Sequence, residues 1–398
     1  MPNVVIITSY PFPDSAAAAN RVQALAEGLA RLPSWTVTVV GSGHCPEMAG
    51  AFPFSGLSFK IIQCPSPTFN RRNLATRAWG EIRHTFRLLT AAKRENGDVI
   101  IATVPSVFLM MTVLWPGRQR TIIDLRDVVW EYLEASGGIR HWIGRFLRSV
   151  SRFFLSRASA ITVTNNQEAE SLRTLIRRET TVIRNGISQE RFEQLASIAP
   201  PDMSGDPFHV VYIGNIGIAQ ELDTLLDAVG GNPDYMVTLV GGGADYERIQ
   251  RRIQEKEWEN IHLTGARPWQ ETIRYFEDAD CLFGQIGAAF KTAVPSKLFE
   301  YASCARPAVF GVPDGPAKEI INGYRGIQPL EPSCPGVLRD KLEEIRTCQA
   351  LTEADAEHNR NQVEQHFLRE AEAAKLADLV AHIYKSNTKD TARSEEQY

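Results

Sequence analysis

Short, largely apolar runs alternate with loops and amphipathic stretches, and this happens twice along the chain. The first series has Asn3–Thr8, Trp35–Gly41, the start of Val99–Trp115, Thr121–Asp124, Ala160–Thr164 and Thr181–Arg184. The second has His209–Ile213, Val237–Val240, Ile261–Leu263, Cys281–Gln285 and Ala308–Phe310. Runs that are apolar at successive positions fit strands covered on both faces, as in parallel sheets. Strand, loop, helix, strand, repeated, predicts an α/β chain built from Rossmann-like doubly wound domains. We expect a first domain at 1–198, a linker at 199–208 within a Pro-, Gly- and Ser-bearing stretch, and a second domain at 209–368. Helices near 336–349 and 352–385 close the chain, the last segment being 369–385, and a polar, disordered tail covers 386–398. Val99–Trp115 is too short and too interrupted, by Pro105, for a membrane span and reads as strand, turn and buried helix.

Doubly wound sheets bind ligands beyond the carboxyl ends of their strands. After Ile213 stands Gly214-Asn215-Ile216-Gly217, a tight loop whose backbone N–H groups suit a diphosphate. That spacing is common, and it is not the G-x-G-x-x-G of a nicotinamide site. After Val240 stands Gly241-Gly242-Gly243, and after Leu263 stands Thr264-Gly265-Ala266-Arg267-Pro268. In the first series, Arg126 and Asp127 follow Thr121–Asp124, either as a loop staple or as a catalytic pair. Ala19, Asn20 and Arg21 open the first helix, where they meet an anion on the acceptor side or form an ordinary helix start.

Ala293–Phe310, AVPSKLFEYASCARPAVF, is the most informative stretch. Pro295 fixes the backbone ahead of a helix and Ser296 has the chemistry of an N-cap. Lys297 and Glu300 are three apart and share a face. Such a pair is a solvated ion pair, or else an ammonium for phosphate beside a carboxylate for sugar hydroxyls.

This stretch resembles the C-terminal signature of family-4 (GT4) glycosyltransferases, whose GT-B fold sets two Rossmann-like domains facing each other across a cleft. The resemblance covers roughly 3–330 and is strongest in 209–310. It implies that Glu300 binds the ribose of a nucleotide-sugar and that the last helix crosses back to the N-terminal domain. Thr292 stands where the family usually has a second Glu, as in the subgroup that builds O-antigen and exopolysaccharide repeats. Asn215 and the Ala219-Gln220 region stand where many members carry an Arg and a Lys for the diphosphate. Lys297 is then the first candidate for that charge, with Lys291 and Arg267 behind it. Arg126-Asp127 takes the place of a His-Asp pair. The activity implied is transfer of a sugar, UDP-linked rather than GDP-linked, to a polyprenyl-diphosphate-linked or saccharide acceptor, with retention. Neither a catalytic metal nor a cofactor is expected, and nucleic acid is not an expected partner. A sugar-nucleotide epimerase, or a membrane-bound partner that kept the fold and lost the activity, are the alternatives.

The net charge of −4 conceals an asymmetry. Residues 1–199 carry 23 Lys+Arg against 15 Asp+Glu, and 200–398 carry 20 against 32. A basic half points to an anionic partner. Two segments concentrate it. Residues 71–94 hold seven Lys/Arg and one acid, and 138–159 hold five Arg and no acid among Trp142, Ile143, Phe146, Leu147, Phe153 and Phe154. Both read as basic amphipathic helices that cover a sheet or lie on an anionic bilayer. The expected location is cytoplasmic, peripheral to the inner face of the plasma membrane, because the first apolar run is only strand length. Six cysteines without C-x-x-C spacing read as reduced thiols and speak against a structural zinc site.

Overall fold

The structure, a computed structural model, describes residues 1–12, 17–43, 51–54, 57–66, 74–104, 107–115, 119–126, 128–135, 137–201, 206–347 and 351–395. Asp127, Pro105, Cys45, Cys348, residues 71–73 and the middle of the expected linker lie outside them. The chain forms two compact units, one of residues 1–185 with 369–398 and one of 186–368.

Unit 1 contains β1 (Asn3–Pro11), β2 (Thr36–Gly43), β3 (Ala51–Phe54), β4 (Leu57–Pro65), β5 (Val99–Val104), β6 (Arg120–Leu125), β7 (Ala160–Val163) and β8 (Thr181–Val182). The sheet order is β3-β4-β2-β1-β5-β6-β7-β8, parallel except for β3 against β4. The strands that read as continuous apolar runs are the central ones: Val4 to Ile7 and Val99 to Ala102 are fully buried and pair in register. Strand order reverses between β1 and β5, which makes that point the ligand crevice of this sheet.

Unit 2 contains β9 (Phe208–Ile213), β10 (Tyr235–Val240), β11 (Ile261–Gly265), β12 (Cys281–Gln285), β13 (Ala308–Gly311) and β14 (Ile327–Leu330). Its order, β11-β10-β9-β12-β13-β14, is all parallel, the dinucleotide-fold order with its switch point between β9 and β12. These two strands pair only at Cys281↔Val210 and Leu282↔Val211. Beyond that the fully buried Tyr301 puts its hydroxyl between them, accepting from Ile213 N at 3.0 Å and donating to Phe283 O at 3.1 Å.

Three expectations about the chain's divisions need correction. The boundary falls between Asn185 and Gly186, not after 198. The helix Gln189–Ala196 belongs to unit 2, because Phe192, Leu195 and Ile198 bury against Phe276, Leu298 and Phe299. The 352–385 segment is two helices, Glu353–His366 and Arg369–Glu395, interrupted at Phe367-Leu368, where Leu368 bridges to Ile187. The last helix runs on to Glu395 in place of a disordered tail, since no Pro or Gly after Arg369 stops it. It packs on the Ala17–Ala30 helix of unit 1.

The helix Gly138–Leu155 packs inside out. It turns Gly144, Ser151 and Leu155 inward. A Cβ at Gly144 would fall 2.7 Å from the Glu134 backbone, so only glycine allows this approach. Ile139, Trp142, Ile143, Phe146 and Phe153, spaced three, four and seven apart, are left exposed, Trp142 to 68%. Leu147 and Phe154 pack instead against the sheet-covering core.

Candidate functional site

At the carboxyl ends of β9, β10 and β11 three glycine loops interlock. Gly214 N donates to Val240 O at 2.9 Å, Gly241 N to Gly265 O at 3.0 Å, and Ile216 N to Gly242 O at 2.8 Å. Gly241 has a φ of +147°, and a Cβ there would lie 1.8 Å from Gly214 O, so no other residue fits. The side chain of Asn215 donates to Gln220 Oε1 at 3.2 Å across the same loop, with Gly217 beneath that amide pair. An amide clasp therefore occupies the place where the resemblance leads one to look for two cations. Gln285, buried at the end of β12, donates to Glu221 O and to Thr224 Oγ1 and ties this loop to the sheet.

The helix Lys297–Ser303 brings the charged pair to these loops. Lys297 lies so close to Gly214 that a Cβ on the glycine would sit 3.2 Å from Lys297 Cε. Lys297 Nζ donates to Glu300 Oε2 at 2.8 Å. Glu300 is only 3% exposed, so this is not a solvated surface pair. Its other oxygen, Oε1, accepts from Arg191 Nη1 at 3.3 Å. Arg191 comes from the helix Gln189–Ala196, and its guanidinium lies 4.2 Å from the centre of the Trp269 ring. Trp269 Nε1 donates to Gln194 Oε1 of that same helix. A carboxylate between two cations is held in one orientation, with the Lys297 ammonium beside the glycine loop.

Some expected members are placed differently. Ser296 stands at the N-cap position but has helical dihedrals and makes no side-chain cap bond. The first-turn N–H groups of Leu298 and Phe299 are taken by Pro295 O and Ser296 O, which leaves fewer of them for an anion. Arg267 pairs with Glu271 at 3.6 Å, and Lys291 stands exposed on the loop after β12. Gly242 has open space over it, with only Ala266 within 4 Å. In unit 1, of the two residues expected on the acceptor side, Ala19 is buried in the core and Asn20 is partly buried. The helix begins at Ala17, and Arg21 turns inward to a bidentate pair with Asp124. It does meet an anion, but one of its own chain. Arg126 is described and Asp127 is not, so the Arg126–Asp127 pair lies outside the described residues.

Two doubly wound units, the second with interlocked glycine loops and a carboxylate between cations at its switch point, define the GT-B class. Residues 16–186 match the family model described as a glycosyl transferase 4-like domain, and 196–362 match that of glycosyl transferases group 1. The chain belongs to these glycosyltransferase families. An uncharacterized glycosyltransferase of Methanocaldococcus jannaschii is 22% identical over 186 residues, 45% of this chain. The match spans about half, 47%, of that relative's length. Among solved structures, sucrose-phosphate synthase from Thermosynechococcus elongatus is similar with a TM-score of 0.75 at 17% identity, covering 97% of this chain and 100% of that one. Anabaena HepE in complex with UDP-glucose has a TM-score of 0.67 at 14% identity, covering 96% and 99%. WaaG, a glycosyltransferase involved in lipopolysaccharide biosynthesis, has a TM-score of 0.67 at 16% identity, covering 94% and 99%.

Proposed function

We propose that the chain transfers a sugar from a UDP-sugar to a lipid-linked or saccharide acceptor in the assembly of a cell-surface polysaccharide. The observation that carries this reading is Glu300, buried and held between Arg191 and Lys297 beside the Gly214 loop. A fixed carboxylate accepts two ribose hydroxyls, and the ammonium beside it meets the diphosphate. The backbone around Gly214, Asn215, Gly217 and Gly242 lets the phosphates approach closely. As the glycosidic bond breaks, negative charge grows on the leaving diphosphate, and Lys297 stabilises that charge more than the ground state. Retention at the anomeric carbon and independence of a divalent metal complete the reading. The UDP-glucose complex of the Anabaena protein supports a uridine donor.

The Gly138–Leu155 helix supports an acceptor held at a membrane surface. Its apolar stripe faces outward, and Arg140, Arg145, Arg148 and Arg152 flank it. Among the described residues no helix is long and apolar enough to cross a membrane. A peripheral contact with anionic lipid at the inner face of the plasma membrane uses both halves of this surface.

One observation favours a second reading, a partner protein without activity: the Asn215–Gln220 amides and Thr292 stand where charged donor contacts are expected. Incubation with a panel of UDP- and GDP-sugars in EDTA separates the two. Release of UDP from one UDP-sugar without added metal is the expected result. No release from any donor, with or without Mg²⁺ or Mn²⁺, would favour the inactive partner, and release only with metal would overturn metal independence.

A further inference from the structure

Arg126 follows β6 and Tyr10 lies near the end of β1, and β5 runs between those strands. The guanidinium carbon of Arg126 is nonetheless 5.2 Å from the centre of the Tyr10 ring. The side chain therefore reaches across the carboxyl end of β5, over the switch point of unit 1. The ring orients the cation by its quadrupole but supplies no hydrogen-bond acceptor in its plane. Arg126 Nε and Nη1 are both buried, and among the described residues neither has a hydrogen-bond acceptor. The nearby carboxylate of Asp124 is already committed, to Arg21 Nε at 3.1 Å, Arg21 Nη2 at 2.7 Å and Thr162 Oγ1 at 2.7 Å. Buried donors left unpaired are costly and rare in native proteins, and each asks for an explanation.

We propose that Arg126 is the anion-binding residue of unit 1 and takes a phosphate or diphosphate ester of the acceptor. Phosphoryl oxygens supply the acceptors that its N–H groups lack, and a guanidinium suits them better than an ammonium. The surplus of Lys and Arg in residues 1–199, 23 against 15 acids, favours a multiply charged phosphate over a single carboxylate. Calling the ester an acceptor rests on the transferase reading, while the anion site itself stands on the geometry of Arg126 and Tyr10.

The test is calorimetric titration of the full chain with inorganic pyrophosphate, geranyl diphosphate and glucose 6-phosphate, with and without saturating UDP. Wild type is expected to bind at least one of them with UDP present. Arg126→Gln should weaken that binding about tenfold or more and leave UDP binding unchanged, and Arg126→Lys should recover part of the loss. Preference for geranyl diphosphate over pyrophosphate identifies a lipid source, and preference for glucose 6-phosphate a phosphorylated saccharide. In the absence of ligand, Arg126→Gln should melt close to wild type, because Nε and Nη1 have no hydrogen bond to lose and only the contact with the Tyr10 ring goes. Equal affinity of Arg126→Gln, no binding of any phosphate ester by wild type, or a clearly lower melting temperature of the variant would overturn the proposal. Failure of UDP to bind would instead count against the transferase reading, and the comparison without UDP would still decide the role of Arg126.

Discussion

Arg191 and Glu300 are 109 residues apart in the sequence, and their side chains meet at 3.3 Å. The contact joins the helix Gln189–Ala196 to the helix that carries Lys297 and Glu300, with Trp269 stacked on the guanidinium. Arg191→Ala removes one of the two cations that orient the Glu300 carboxylate. We expect nucleotide-sugar affinity to fall about three- to tenfold, and Trp269→Leu to give a smaller fall in the same direction. Calorimetric titration of a UDP-sugar checks this. An Arg191→Ala protein that binds as wild type does would remove Arg191 from the site.

Tyr301→Phe removes the hydroxyl that joins β9 to β12 where their pairing ends. Ile213 N and Phe283 O are then buried without that partner, at a cost of about 1–3 kcal/mol. Urea unfolding followed by fluorescence reads the loss. An unchanged midpoint would mean that the two strands close on each other unaided.

Asp124 gives the pH dependence. Burial alone would raise its pKa, but the charge of Arg21 and hydrogen bonds from Arg21 and Thr162 outweigh burial and hold it below its ordinary 3.8. A carboxyl whose pKa is lower folded than unfolded stabilises the fold above the unfolded value, and that stability is lost as pH falls through the folded value. Asp124→Asn strands the buried Arg21 charge, so the variant should be less stable by roughly 3–5 kcal/mol at pH 7. The gap between wild type and variant should narrow below about pH 4. Denaturation curves at pH 7 and pH 3 measure both. A gap that stays constant would contradict the ion-pair account.

The chain is expected to pellet with anionic liposomes at low salt through the Gly138–Leu155 face. Charge reversal at Arg145, Arg148 and Arg152 should abolish pelleting and leave UDP binding intact. Replacing the exposed Trp142 and Phe146 by Ser should weaken pelleting at all salt concentrations, because it removes apolar insertion, not charge. Wild-type protein that stays in the supernatant at low salt would mean the stripe serves another purpose.

The sheet strands were legible because a buried parallel strand is apolar at every position, as Val4–Ile7 and Cys281–Phe283 are. Lys297 and Glu300 were legible because one helical turn sets their distance. Arg191 was not, since nothing local links it to Glu300. The same blindness misplaced the domain boundary. Leu195–Ile198 borders a Pro-bearing stretch that reads as a linker, and only the packed core reveals that Phe192 and Leu195 lie against Phe299. The stripe of the Gly138–Leu155 helix was visible as a pattern, but which side faced the sheet was decided by Gly144 and Ser151. Tyr301 read as core filling, and its hydroxyl acquires meaning only where β9 and β12 part.

Glu300 is the residue proposed to hold the donor ribose. Titrating UDP-glucose and UDP into wild type, Glu300→Gln and Lys297→Ala tests it directly. Wild type should bind both ligands. Glu300→Gln, equal in shape but without the charge, should bind both more weakly by roughly 1.5–3 kcal/mol, and Lys297→Ala should lose UDP far more than uridine. Wild-type affinity in Glu300→Gln, or a loss in Lys297→Ala that is equal for UDP and uridine, would contradict the assignment.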